Sequence, residues 1–318
     1  MAELTIPSAD DDLVFICGAL RSGTTLLRLM INDHPALSNP GEMDFLFEPP
    51  PVQGGRRDMA AYAHDLSVNR VFKAKQLKVA SRLDYEEQVR DFIRQLRKPG
   101  KRLSINIHRH FDRVPAIFPD ARFVHLLRDP RDVAKSSIGM GWAGNVYHGV
   151  DHWIASERDF EKLTAMVPAG RIHGLKNEDL LHDPKAELTR LCAFLGVAYD
   201  ARMLDYPSHT TYEAPDPRLA EQWRTGLNPR DIALVEGKVA AMLTARGYPP
   251  SGEKPVVPDP AEAAALRRQN RLGRIRFSVR RNGVILTALD LVTRRLGIKS
   301  VHDLVRQRLA AREAQFLK

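Results

Sequence analysis

Cysteine is nearly absent: the chain of 318 residues has two, Cys17 and Cys192. Both stand in apolar segments, far apart and without metal-ligand spacing. A disulfide framework and a bound metal are therefore not expected, and the pair reads as reduced core residues of a cytoplasmic protein. Long hydrophobic runs are missing as well, none approaching the roughly 18–20 residues of a membrane span. The opening "MAELTIPSADDD" has no basic stretch leading into an apolar one, so no secretory leader is expected. Most of the chain also lacks charge of a preferred sign. Residues 255–318 carry 14 Lys/Arg against 5 Asp/Glu, which is the whole net charge of +9, and the other 254 residues hold 34 of each. Without a global basic footprint in the main body, nucleic acid is not the expected partner.

What is present is ordinary for a globular protein, with 43% hydrophobic and 27% charged residues. "LVFICG" (13–18) is a short apolar run closed by glycine, the pattern of a buried parallel strand. Residues 24–33 follow with helical periodicity, and "HPALSNPGE" (34–42) reads as a loop, with His34 capping the helix end. Helices are expected over 58–66 and 84–98, strands over 102–108 and 122–128, and a helix opening at 132–137. One long amphipathic helix is expected over 148–167, a strand over 171–176 and a helix over 185–197 closed by Gly196. Strands alternating with helices imply an α/β fold: a parallel sheet flanked by helices, with a P-loop-like turn after its first strand. A Pro-rich linker, "YPPSGEKPVVPDP" (248–260), separates this 1–250 domain from a basic helical extension, 251–318.

The turn is "CGALRSGTTLLRLM" (17–30). A strand, a glycine-rich turn and a helix start gather backbone N–H groups around one point, and the helix dipole adds positive potential, so the turn suits an anion. Gly18 and Gly23 have the separation of the nucleotide-triphosphate loop G-x-x-x-x-G-K-[ST]. Thr24, however, stands where that loop carries its lysine, and without it a triphosphate with Mg²⁺ is poorly supported. Arg21, between the two glycines, can supply the positive charge instead.

At these residues the sequence resembles the sulfotransferases that use 3′-phosphoadenosine 5′-phosphosulfate, in their bacterial and tyrosyl-protein branch. Their loop reads [KR]-S-G-T-T, here Arg21, Ser22, Gly23, Thr24 and Thr25. The resemblance implies that these five hold the 5′-phosphosulfate, with Arg21 stabilising charge on the leaving oxygen. "FVHLLRDPRDVAKSS" (123–137) resembles the family's 3′-phosphate segment, which implies that Arg128 and Ser136 hold that phosphate. "EDLLHDPKAELTRLCAFLG" (178–196) resembles a third family segment, with Asn177 in place of the usual aromatic near the adenine. The implied reaction moves a sulfuryl group to a hydroxyl or amine and leaves adenosine 3′,5′-bisphosphate; no metal takes part.

Such a transfer needs a base beside the acceptor, and two residues compete. Glu42 follows Arg21 by 21 residues, much as in the tyrosyl-protein branch. His108 occupies the histidine of the cytosolic branch's K-T-H motif, but Asn106 and Ile107 replace its lysine and threonine. Glu42 is favoured, with His108 second. Residues 43–100 carry no cofactor signature and are expected to form an acceptor lid, and their aromatic "EMDFLFEPPP" suits a hydrophobic small molecule or lipid. A P-loop kinase or nucleotide hydrolase is the runner-up, and a non-catalytic binding protein of the same fold the third reading. The arginine-rich tail, with Ser300 and Asp303 as a capping box for a last helix, is expected to pack on its own fold or on a second copy, with peripheral membrane contact as the alternative.

Overall fold

Residues Leu13–Cys17 form a strand, β1, whose five side chains are all buried. A continuous apolar run of this kind belongs in a parallel sheet covered on both faces. Helix α1, Thr24–Asp33, follows, then a two-residue strand β2, Leu37–Ser38. Strands β3 (Arg102–Ile107), β4 (Arg122–Leu127) and β5 (Ile172–Lys176) complete a five-stranded sheet in the order β2-β3-β1-β4-β5, every pairing parallel. The expected α/β fold is what the chain adopts. This computed structural model describes residues 13–296 and, beyond them, only Val301, Leu304, Val305, Arg308 and Leu309. The opening segment examined for a leader and the Ser300–Asp303 capping box lie outside the described residues.

The chain divides into two compact units, residues 1–128 with 152–220 and residues 129–151 with 221–318. The expected boundary at residue 250 falls inside the second. In the first unit the period of two along β1 sends Phe15 to one core and Val14 and Ile16 to the other. Phe15 packs against Phe47, Phe118 and Phe123 with ring centroids 5.4–6.1 Å apart, and deleting a ring of that size from a packed core costs about 3–5 kcal/mol. Leu27, Met30 and Ile31 of α1 bury against Leu191 and Leu195 of the helix Pro184–Leu195. That helix ends, as expected, at Gly196 in the left-handed conformation. His34 ends α1: its Nε2–H donates to Ala198 O at 2.8 Å and its Nδ1 accepts from Ala36 N–H.

Two expectations need correction. The segment 34–42 is not all loop, since β2 lies within it. The single helix over 148–167 is two helices, Val146–Gly149 and Asp151–Thr164. The break falls at Gly149, where a Cβ would lie 2.5 Å from Ala134 O.

In the second unit, Arg131 is fully buried, bonds Asp129 and Glu236 at 2.6 Å each, and lies 3.6 Å over the Trp223 ring. The first helix of the extension packs on this unit. Gly144 N–H donates to Asn270 Oδ1 of the helix Pro260–Asn282, and Asn145 Nδ2 to Leu266 O. Those backbones meet at Gly144 and Gly273, where a Cβ on Gly273 would lie 2.5 Å from Gly144 Cα. The next helix, Val284–Leu296, exposes Val284, Ile285, Val292 and Leu296. Among the described residues no helix is long and apolar enough to cross a membrane.

Candidate active site

β1 and β4 are neighbours whose onward connections leave in opposite directions, β1 toward β2 and β4 toward β5. Ligands of open α/β sheets bind at the carboxyl ends of such a strand pair. The turn after β1 sits there. A Cβ on Gly18 would lie 2.5 Å from Leu126 O, so only glycine lets the chain pass the end of β4. Arg21 then takes φ +73°, left-handed for a residue with a Cβ, and Gly23 takes φ +91° as the N-cap of α1. A Cβ on Gly23 would meet Asn177 Oδ1 at 2.1 Å. Asn177 is thus buried against the turn.

The turn has the makings of an anion cradle. No side chain caps α1, so the helix start keeps its free amides. Ser22 is buried, and its hydroxyl has no protein partner. A buried hydroxyl in that position is fitted to an oxygen-rich ligand. Thr24 is buried and Thr25 half-buried in the first turn. Arg128, at the end of β4, donates through Nη1 to Arg21 O at 3.0 Å, so two arginines converge on one peptide. Burial lowers the Arg21 pKa, as does the Arg128 charge, while Tyr212 and Glu42 act to raise it.

Glu42 faces this positive pair from the loop after β2. Gly41–Met43 runs alongside the end of β3: Asn106 N–H donates to Gly41 O at 3.1 Å and Met43 N–H to Asn106 O at 2.9 Å. Asn106, which stands for the lysine of the cytosolic motif, is the junction. Its Nδ2 donates to Thr24 O at 3.1 Å, and its Oδ1 accepts from Asn39 Nδ2 at 2.8 Å. Asn39 in turn accepts from Gly41 N–H and exchanges two bonds with Asn32 of α1. The chain therefore spends three amides, two of them buried, fixing the Glu42 loop to the phosphate turn.

The two candidate bases lie side by side. His108 Nε2 is 3.9 Å from Glu42 Oε1, yet the histidine side chain is 1% exposed and the glutamate 46%. Only Glu42 is open to an acceptor. Asp44, which sequence reasoning passed over, grips the histidine from behind: its Oδ1 accepts from His108 N–H at 2.7 Å and its Oδ2 from Nδ1 at 3.1 Å. Burial pushes the Asp44 carboxyl up, but the hydrogen bonds from His108, with the charges of His108 and Arg109, outweigh it and hold it below the usual range. Asp44 opens a short 3-10 turn, Asp44–Phe47, that carries Phe45, Leu46 and Phe47 into the core. Those side chains, in a segment whose apolar character suits a hydrophobic acceptor, are buried in the core. Ser136 lies half-buried on the helix Pro130–Gly139 of the second unit.

Known proteins resemble this chain. The "omega-hydroxy-beta-dihydromenaquinone-9 sulfotransferase Stf3" of Mycobacterium bovis is 27% identical over 150 residues, 42% of this chain and 37% of that protein. This chain thus matches little more than a third of that relative's length. The sulfotransferase domain of the Synechococcus PCC 7002 olefin synthase superposes with a TM-score of 0.54 at 25% identity, over 71% of this chain and 94% of that one. The sulfotransferase domain from the curacin biosynthetic pathway shares the fold, with a TM-score of 0.53 at 20% identity over 71% and 96% of the two chains. The model of the sulfotransferase family Sulfotransfer_3 matches residues 13–201, from β1 past the helix Pro184–Leu195. With more than half its length matched across every element of the cradle, the chain belongs to the sulfotransferase family.

Proposed function

We propose that the protein is a cytoplasmic enzyme that transfers a sulfuryl group from 3′-phosphoadenosine 5′-phosphosulfate to a hydroxyl or amine. The observation that carries this is the Asn106 bridge, which ties the Glu42 loop to the turn that holds the buried, unpartnered Ser22 hydroxyl. The buried, unpartnered Ser22 hydroxyl and the open α1 N-terminus fit a phosphosulfate, and Thr24 in place of a lysine disfavours a triphosphate. That nucleotide, when bound, supplies the activated sulfuryl group. Ser22, Gly23, Thr24 and Thr25 hold its 5′ end. Arg21 faces the leaving oxygen, where a fixed cation acts most strongly on the transition state. Arg128 and Ser136 hold the 3′-phosphate. Glu42 removes the acceptor proton.

The acceptor is proposed to be an apolar molecule bearing a hydroxyl, bound beside Glu42 and under the segment 43–100. This rests on the name of the menaquinone-directed relative and on the position of that segment directly after the base. The test is incubation with the phosphosulfate and 2-naphthol or 1-dodecanol in detergent, followed by mass spectrometry. The expected result is a sulfate ester together with adenosine 3′,5′-bisphosphate. Nucleotide binding with no ester from any hydroxyl or amine acceptor would favour a non-catalytic binding protein.

A further inference from the structure

We propose that Glu42 does not dispose of the acceptor proton alone: His108, oriented by Asp44, receives it from Glu42 at Nε2. This rests on sulfuryl transfer being the reaction. The two residues that competed for one role are consecutive stations, with Asp44 as the positioning residue behind them.

The geometry points one way along the chain Glu42–His108–Asp44. Asp44 accepts from both the backbone N–H and Nδ1 of His108, so the ring's one proton in its neutral form belongs on Nδ1. Nε2 is then a bare lone pair. It is buried, bonds nothing in the protein, and has Glu42 Oε1 at 3.9 Å. An exposed glutamate can swing, and a small rotation shortens that gap to the roughly 2.6–3.2 Å of a hydrogen bond. While Glu42 is ionised, a lone pair facing a carboxylate offers it no bond. Once Glu42 takes a proton, its O–H can donate to Nε2. The ring is therefore fitted to the protonated base and not to the resting one.

The step balances without a further reactant. The acceptor oxygen forms its bond to sulfur as its O–H bond breaks, and the proton goes to a Glu42 oxygen. The electron pair of the broken sulfur–oxygen bond leaves with the nucleotide phosphate. The proton then passes from Glu42 to His108 Nε2, which restores the carboxylate and leaves an imidazolium between two anions, Asp44 and Glu42. Other charged groups are set around this line. Arg21 faces Glu42, Arg109 acts on Asp44 and pairs with Glu48, and the Cys17 thiol, pushed up by burial and by Asp44, stays neutral.

The direct test is ¹⁵N NMR of the His108 ring in the full chain, assigned by its loss in His108→Gln. The expected neutral ring carries its proton on Nδ1, and the pH at which it charges should fall in Asp44→Asn and also in Glu42→Gln, since each removes an anion facing the ring. The Glu42 side chain is largely outside the packed core, so Glu42→Gln keeps the test open if Asp44→Asn does not fold. In sulfuryl transfer to 2-naphthol, Asp44→Asn should shift the acid limb of the kcat profile to lower pH. A loss equal at every pH would mean a purely structural aspartate and would overturn the relay. So would a neutral ring protonated on Nε2, or a charging pH that moves in neither variant. Absence of transfer by the wild-type protein would instead refute the proposed reaction, with the ring titration still diagnostic of the pairing.

Discussion

Asn106 Nδ2 donates to the carbonyl of Thr24 at 3.1 Å, so the residue that replaces a family lysine ties β3 to the phosphate turn. The same side chain accepts from Asn39, which fixes the Glu42 loop. Asn106→Leu keeps the branched shape and strands the buried Asn39 amide. The expected cost is about 1–3 kcal/mol of stability, measured by urea unfolding, together with weaker nucleotide binding. Unchanged stability would show that the three-amide network holds nothing.

Arg21→Ala should lower turnover by about 10²–10³ while changing nucleotide affinity far less, because its charge matters most where negative charge develops. Initial rates and calorimetric binding on the same preparation separate the two. Turnover within a few-fold of wild type would remove Arg21 from the chemistry.

Glu42→Gln should leave nucleotide affinity unchanged and reduce turnover by about 10²–10⁴, the usual contribution of a general base. His108→Gln should lose less, since its ring is buried and reaches the acceptor only through Glu42. If the histidine variant alone is inactive, the order of the two bases must be reversed.

Arg128 has two possible tasks, reading a 3′-phosphate and supporting Arg21 O. Arg128→Ala should weaken adenosine 3′,5′-bisphosphate by about 1.5–3 kcal/mol and adenosine 5′-monophosphate much less. Equal losses for both nucleotides, by calorimetry, would mean that it acts only through the turn.

The frame of the first unit was legible because β1, β3 and β4 are mostly apolar strands that are almost wholly buried. β2 was not, since two residues in a proline-rich loop have no period to read; it exists because Leu37 and Ser38 pair with Arg102 and Leu103. The split after Gly149 was hidden for another reason: the close approach to Ala134 O belongs to tertiary packing, not to the helical pattern. At the site, the turn was readable from the Gly18–Gly23 spacing, and the roles of its residues only from the family resemblance. The link between Glu42 and His108 was not, because the ladder at Asn106 that brings them together joins segments more than sixty residues apart. Asp44 gave one usable signal, an acidic residue two places after the favoured base in an otherwise apolar run. The aromatics beside it misled: their apolar character suits a core as well as an acceptor, and the core took them.

Thermal unfolding with adenosine 3′,5′-bisphosphate against ATP–Mg²⁺ tests the central claim most directly, because only a ligand of the folded state raises the melting temperature. At a hundredfold excess over Kd the bisphosphate should add about 2.7 kcal/mol, roughly 4 °C for a protein of this size, and ATP–Mg²⁺ should add little. A rise with ATP–Mg²⁺ and none with the bisphosphate would contradict the account and make the turn a triphosphate loop.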